Sequence, residues 1–143
     1  MLTDAARATG LLAANAAANA RACAGCEVAV VESDWARAGA VAAAAAGCDL
    51  VLAADCVYEG DEGDTDGAFA AALGEALHGT RGPDAVVVFQ QRRAGMAGMA
   101  ERFLARVARE FRVEEVPETV LSPEHRGAGL SVLWIRPHAP PDS

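Results

Sequence analysis

The order of apolar runs along the chain is the feature that most constrains its fold. Short β-branched or apolar segments at Glu27–Glu32, Asp49–Ala54 and Asp84–Gln90 alternate with segments of helical character. This alternation is typical of a parallel sheet covered by helices on both faces. The last two predicted strands, Phe111–Val120 and Gly129–Arg136, have no helix between them. The sequence therefore predicts an α/β fold whose sheet is mostly parallel and closes with a C-terminal antiparallel hairpin.

The segments around the first four strands have the composition or periodicity of helices. The first is rich in alanine, with Thr3 or Asp4 as its predicted N-cap. The last places Met99, Phe103, Val107 and Phe111 close to one face. The predicted helices are Ala5–Ala22, Arg37–Ala46, Phe69–His78 (capped by Thr65 or Asp66) and Met96–Glu110.

Size and composition limit the classes of protein to which the chain can belong. Its 143 residues suit one domain, which we place at residues 1–137, followed by a flexible tail at residues 138–143. The net charge of -8 argues against a nucleic-acid-binding surface, since such surfaces cluster positive charge. No apolar run is long enough to span a bilayer, and no signal-peptide pattern follows Met1. We therefore expect a cytoplasmic or nuclear protein that binds neither nucleic acid nor membrane.

The four cysteines offer a weak alternative function. Cys23 and Cys26 have CxxC spacing, which is found in redox pairs and in halves of zinc sites. A second CxxC does not exist, and the histidines are scattered. Cysteines are also common as small residues in turns and cores, and this interpretation is favoured here. We expect no metal site.

Polar residues follow the predicted strands at the positions where open α/β sheets bind ligands. The strand Asp49–Ala54 runs directly into Asp55, and Tyr58 follows three residues later. Asp34 closely follows the predicted strand Glu27–Glu32. Ligands in such folds bind outside the carboxyl ends of the strands, so these side chains are the candidates for a functional site.

Several segments resemble, in order and spacing, the lysine methyltransferase-like family of class I, seven-stranded S-adenosylmethionine-dependent methyltransferases, whose members carry a DxxY motif. The Asp55–Tyr58 motif with its preceding strand is the most specific of them. The resemblance implies a Rossmann-like fold and a methyltransferase that uses S-adenosylmethionine and acts on a protein with an accessible lysine. The matching segments are LTD at Leu2–Asp4, SDW at Ser33–Trp35, DLVLAADCVY at Asp49–Tyr58, VVVFQQRR at Val86–Arg93, ERFLARVAREFRVEEV at Glu101–Val116 and GLSVLWIR at Gly129–Arg136.

The resemblance also implies that part of the family's domain is missing. In that family, the first strand and its glycine-rich loop precede the LTD segment, and the first strand is central in the sheet. Here LTD follows directly on Met1. The sequence thus corresponds to the C-terminal two-thirds of the domain. We expect the 143-residue chain alone to bind S-adenosylmethionine poorly, and to leave strand edges and apolar faces bare beside the gap.

The cofactor-side residues follow from the resemblance. Asp4 would accept hydrogen bonds from the ribose hydroxyls; the alternative is a helix N-cap. Asp34 would accept from the adenine amino group and Trp35 would offer an apolar wall; the alternatives are an acid in a turn and a core tryptophan. Ala53 and Ala54 would lie beneath the cofactor, where small residues allow close approach.

The acceptor side is assigned to Asp55 and Tyr58. The Asp55 carboxylate would hold and orient the substrate ammonium, and Tyr58 would line the channel and donate a hydrogen bond. The alternatives are an acid that caps a turn at the end of a strand and a half-buried aromatic residue.

Charged residues near the motif have both a functional and a simpler interpretation. An acidic run after Tyr58 would attract a basic substrate, although a solvated loop is the simpler interpretation. Arg92 and Arg93 would pair with that run or contact substrate, and a solvated pair is the simpler interpretation. The acidic run consists of Glu59, Asp61, Glu62, Asp64 and Asp66.

Three functions remain open from the sequence. The first is a protein-lysine methyltransferase, and the second is a small-molecule or other protein methyltransferase on the same fold. The third is a non-catalytic interaction module.

Overall fold

The computed structural model describes residues 1–58, 65–78, 82–90 and 96–138. Most of the acidic run, Arg92, Arg93 and nearly all of the predicted tail lie outside the described residues. The elements are β1 Leu2–Asp4, α1 Ala6–Ala18, β2 Val30–Glu32, α2 Ala40–Ala45, β3 Leu50–Ala54, α3 Thr65–Leu77, β4 Asp84–Gln90, α4 Met96–Val107, β5 Phe111–Glu115 and β6 Leu130–Pro137, with single 3-10 turns at Glu118–Val120 and Pro123–His125.

The described strands form two sheets, whereas the sequence predicts one. β1 pairs in parallel with β2, and Leu2 lies opposite Val30. The second sheet has the order β3-β4-β6-β5, in which β3 is parallel to β4. β6 is antiparallel to both of its neighbours, β4 and β5. The α/β class and the C-terminal antiparallel pair are confirmed, while the parallel pairing is limited to β1 with β2 and β3 with β4.

The main core lies on one face of the four-stranded sheet. Ala85, Val87 and Phe89 alternate along β4 and are buried, and Leu133 and Ile135 of β6 lie opposite two of them. Helices α3 and α4 pack against each other over this face. Burial of each large apolar side chain contributes roughly 1.5–3 kcal/mol, so this core fixes both helices on the sheet. The helices supply Phe69, Leu73, Leu77, Met99, Phe103 and Val107 to it.

In the described part of the chain, the opposite face of the same sheet is exposed at β3, so the prediction that helices cover both faces is not met there. Leu50 is 45% exposed and Leu52 is 73% exposed, and both belong to β3. Residues Val86 and Val88 of β4 are only half-buried on this side. The segments Asp49–Ala54 and Asp84–Gln90 were predicted to be fully buried because they are continuously apolar. A continuous apolar run shows that both faces of a strand can be buried. Whether they are buried depends on elements elsewhere in the chain, which the run itself does not specify.

Helix boundaries also differ from the sequence predictions in specific ways. The N-cap of α1 is Ala5, whose conformation is extended, and no side chain caps the helix. Thr3 and Asp4 are not caps because they belong to strand β1, which continues to Asp4. Helix α3 begins at Thr65, so Thr65 and Asp66 lie inside its first turn. Helix α2 ends at Ala45, one residue before its predicted end at Ala46, and Gly47 follows with a φ of +79°.

Three further properties concern the described part of the chain. None of its helices is both long enough and apolar enough to cross a membrane. All four cysteines are free thiols, and Cys26 is exposed. Within residues 1–58, 65–78, 82–90 and 96–138, no group of three or more His, Cys, Asp or Glu side chains is arranged to hold a metal ion.

Candidate functional site

The carboxyl ends of β1 and β2 bring the first candidate residues together. Strand β1 ends at Asp4, which lies opposite Glu32 of β2. The backbone N–H of Ser33 donates to the Asp4 carbonyl over 2.9 Å, so the pairing continues one residue beyond β2. Asp34 and Trp35 follow directly. The parallel register therefore places three cofactor-side candidates, Asp4, Asp34 and Trp35, at the carboxyl end of the two-stranded sheet.

Asp4 and Asp34 each use one carboxylate oxygen locally. The Asp4 Oδ1 accepts from the Ala5 N–H over 2.7 Å, and the Asp34 Oδ1 accepts from the Ala36 N–H over 3.0 Å. Both side chains are exposed. Because an ionised carboxylate has two oxygens with about four acceptor sites, these local bonds orient the groups and leave acceptor capacity for a ligand.

At the end of β3, Asp55 has an unusual backbone conformation. Its N–H donates to the Val88 carbonyl over 2.8 Å, which extends the pairing with β4 by one residue. Its φ of +54° then lies in the left-handed region, which aspartate tolerates better than most residues. The chain turns sharply at this point, so that Val57 is buried while Asp55 and Tyr58 remain exposed. The turn therefore presents the first and last residues of the DxxY motif on the surface.

The Cys56 thiol lies near carboxylates that belong to strand ends of both sheets. The pKa of the Cys56 thiol is raised to about 11, chiefly by burial and also by the carboxylates of Asp4 and Asp55. The Cys56 Sγ donates weakly to the Ala54 carbonyl over 3.5 Å. Asp4 and Asp55 thus lie near a common thiol, although β1 and β3 belong to different sheets. Ala54 is exposed beside them at the end of β3.

A chain of aromatic contacts joins the cofactor-side and acceptor-side candidates. The ring centroids of Trp35 and Tyr58 are 6.1 Å apart, with a tilt of 47°. Trp35 in turn lies 5.2 Å from Phe69 of α3, and Phe69 stacks on Phe103 of α4 at 5.5 Å. Such contacts contribute about 0.5–1.5 kcal/mol each beyond the area they bury. The six candidates therefore lie at strand ends or contact residues there. They are Asp4, Asp34, Trp35, Ala54, Asp55 and Tyr58.

The interpretation of the acidic run as a solvated loop is wrong at Asp66. Asp66 is 2% exposed and its carboxylate accepts from the Arg102 guanidinium, with Nε 3.3 Å from Oδ2 and Nη2 3.4 Å from Oδ1. Arg106 Nη1 lies 4.0 Å from the same Oδ2. Sequence reasoning missed this because a buried acid and its partners on another helix have no local pattern.

Ser33 is a second residue that sequence reasoning missed. It is buried, and among the described residues its Oγ has no hydrogen-bond partner. An unpaired buried hydroxyl costs free energy, so it suits a place where a polar ligand supplies the partner. The Ser33 backbone N–H is bonded to the Asp4 carbonyl, and Trp35 lies two residues further along the chain, so this hydroxyl belongs to the same strand end as the cofactor-side candidates. The sequence signals of Ser33 are its position between the strand Val30–Glu32 and Asp34 and its place in the SDW segment, neither of which indicates a buried hydroxyl.

Comparison with known protein families identifies the family of the chain. A family model described as lysine methyltransferase matches residues 1–109, which contain all six candidate residues. A search of curated proteins finds no match to the chain. Since the family model covers more than half of the sequence, the chain belongs to the lysine methyltransferase family.

Proposed function

We propose that the protein is an S-adenosylmethionine-dependent methyltransferase that transfers a methyl group to the ε-amine of a lysine in a protein substrate. The observation that carries this proposal is the 6.1 Å contact between Trp35 and Tyr58. It brings a residue of the nucleoside side next to a residue of the acceptor side, as a direct transfer between two bound molecules requires.

The cofactor-side roles are proposed from the donors and acceptors at the ends of β1 and β2. S-adenosylmethionine would supply an electrophilic methyl group. Asp4 would accept hydrogen bonds from the two ribose hydroxyls, and Asp34 would accept from the adenine amino group. Trp35 would cover an apolar face of the bound nucleoside, and the small side chain of Ala54 would allow close approach. All of these side chains lie at or just after the carboxyl ends of β1, β2 and β3.

On the acceptor side, Asp55 and Tyr58 would bind and orient the lysine. The Asp55 carboxylate would hold the lysine ammonium. The ammonium would lose one proton to water before its nitrogen attacks the methyl group. The neutral nitrogen would then form its bond to the methyl carbon while the carbon–sulfur bond breaks and its electron pair stays on sulfur. Tyr58 would line the channel and donate a hydrogen bond. Positioning of this kind supplies most of the rate enhancement when no strong base is needed.

The partner and the compartment are proposed from charge. The net charge of -8 would favour encounter with a basic, lysine-bearing protein. We place the protein in the cytoplasm or the nucleus, where such substrates are abundant.

The proposal is tested by methyl transfer from radiolabelled S-adenosylmethionine to cell-extract proteins, with the enzyme expressed from its complete reading frame. Asp55→Asn is expected to reduce labelling about 100-fold, since asparagine tolerates the same backbone conformation but lacks the charge. Asp4→Asn is expected to raise the KM for S-adenosylmethionine about tenfold, through loss of charged hydrogen bonds. Asp49→Asn is the matched control at the opposite, exposed end of the same strand.

The acceptor class is decided in the same assay. Prior acetylation of the extract converts lysine amines into amides, whose nitrogen is not nucleophilic, and is expected to abolish labelling of proteins. Label that appears only in small molecules would replace the proposal with a small-molecule methyltransferase. Absence of all labelling would overturn the proposal and leave the interaction module.

A further inference from the structure

Two separate contacts connect Tyr58 to the beginning of helix α3. The Thr65 hydroxyl, in the first turn of that helix, donates to the Tyr58 carbonyl. The Tyr58 ring lies against Trp35, and Trp35 lies against Phe69, one turn further along α3. Both the backbone and the ring of Tyr58 therefore depend on where this end of α3 is placed.

The same end of α3 is anchored on α4 by a buried ion pair. Asp66 is almost completely buried, and the Arg102 guanidinium reaches both of its carboxylate oxygens, at 3.3 and 3.4 Å. Phe69 stacks on Phe103 beside the pair. A buried carboxylate is strongly unfavourable unless it is paired, so the position of Asp66 relative to Arg102 is tightly constrained. This constraint passes to Thr65, its neighbour in the same turn.

We propose that Thr65 and Asp66 are positioning residues that hold Tyr58 in the acceptor site, and that the Asp66–Arg102 pair sets their place. The inference rests on the proposed function for the role of Tyr58. Both residues would act through Tyr58 and not by contact with substrate. Tyr58 itself is 37% exposed, so its own burial does not fix its ring, and the hydrogen bond from Thr65 and the contact with Trp35 take that role.

The position of Tyr58 can be measured without any activity assay. The sequence contains one tyrosine, so protein labelled with 3-fluorotyrosine has a single ¹⁹F resonance, which reports on Tyr58 alone. Thr65→Val removes the hydroxyl at constant shape, Thr65→Ser retains it, and Asp66→Asn removes the charge. Glu110→Gln is the matched control, because it removes the 2.7 Å His78–Glu110 pair at the other end of α3.

We expect the resonance to shift or broaden in Thr65→Val and Asp66→Asn and to stay at the wild-type position in Thr65→Ser and Glu110→Gln. In the methyl-transfer assay, kcat is expected to fall about tenfold in Thr65→Val and about 100-fold in Asp66→Asn, since displacement by about 1 Å can cost that much. In Thr65→Val the KM for S-adenosylmethionine is expected to stay within about twofold, because the Thr65 hydroxyl bonds to Tyr58 and not to a cofactor-side residue.

Each result separates the inference from the proposed function. An unmoved resonance in Thr65→Val overturns the inference whatever the activity, and so does an equal shift in Glu110→Gln. A moved resonance together with full activity in Tyr58→Phe and Thr65→Val supports the positioning but contradicts the proposed role of Tyr58. If circular dichroism shows that Asp66→Asn is unfolded, the pair Thr65→Val and Thr65→Ser decides the question.

Discussion

Asp55 combines two properties that sequence-based reasoning treats separately. Its place after an apolar strand marks it as a candidate site residue, while its φ of +54° is not visible in the sequence. Among the described residues it is the one non-glycine with positive φ. This conformation costs about 1–2 kcal/mol, and such strain tends to cluster at functional sites. The bond from its N–H to Val88 and the burial of Val57 offset the cost and hold the turn.

Cys56 provides a prediction at this scale about pH dependence. Its pKa is about 11 in the folded protein, against 9.0 as the ordinary value. Below pH 9 the thiol is neutral in both states and stability is unaffected. Between pH 9 and 11 the unfolded chain loses this proton while the folded chain keeps it, so the free energy of unfolding falls as pH rises. Urea denaturation from pH 8 to 11 is expected to show this decline, and Cys56→Ala is expected to reduce it.

The controls for Cys56 test the geometry of the site as well. Asp4→Asn is expected to make the decline smaller, because it removes one of the two carboxylates that raise the thiol pKa. Cys26→Ala, at an exposed cysteine, is expected to leave the decline unchanged. Identical pH profiles for wild type and Cys56→Ala would show that the thiol is not shielded as described.

The secondary-structure elements were largely predictable, because their signals are local. The apolar segments became β2, β3, β4 and β6, and the periodicity of Met99, Phe103 and Val107 predicted the buried face of α4 correctly. Element ends were less predictable: β5 stops at Glu115 and is followed by a 3-10 turn, where a strand to Val120 was expected. Ends depend on which backbone groups find partners in the tertiary structure, and composition does not record that.

Gly82 is an element-scale position at which the structure permits only glycine. It lies before β4, and a Cβ there would overlap the Leu77 carbonyl at the end of α3. We expect Gly82→Ala to destabilise the protein by about 1–3 kcal/mol, because the backbone must shift in a well-packed region. The measurement is urea denaturation at neutral pH.

Gly10 provides the matched control for this substitution. It lies inside α1, and a Cβ added to it would meet no atom within 4 Å. Gly10→Ala is expected to stabilise the protein by up to about 1 kcal/mol through helix propensity. Equal effects of the two substitutions would contradict the close approach between Gly82 and Leu77.

At the scale of the whole molecule, the sheet is divided and one of its faces is open. In the part of the chain that the structure describes, β3 is a terminal strand of its sheet, and its residues Leu50 and Leu52 are exposed. An apolar edge strand of this kind is prone to pair or associate with other chains. The expectation of bare edges and faces therefore agrees with the exposure of these residues.

The open face predicts concentration-dependent self-association of the 143-residue chain. Leu52→Gln is expected to weaken association at least tenfold, since burial of a leucine side chain contributes roughly 1.5–3 kcal/mol. Val120→Gln is the control, because Val120 is 71% exposed but lies in a 3-10 turn away from β3. Sedimentation velocity over a range of concentrations measures the effect. Equal behaviour of the two variants would show that the β3 face does not mediate association.

The sequence by itself determined the α/β class, the order of the elements, the family and the candidate residues at strand ends. These follow from periodicity and from motifs such as Asp55–Tyr58, whose signals lie within a few residues. The tertiary structure alone decided that Asp4 and Asp55 share a neighbour in Cys56, that Asp66 is buried against Arg102, and that one sheet face is open. The physical reason is that burial and pKa depend on distant segments that fold against a residue, and no local pattern specifies which segments those are.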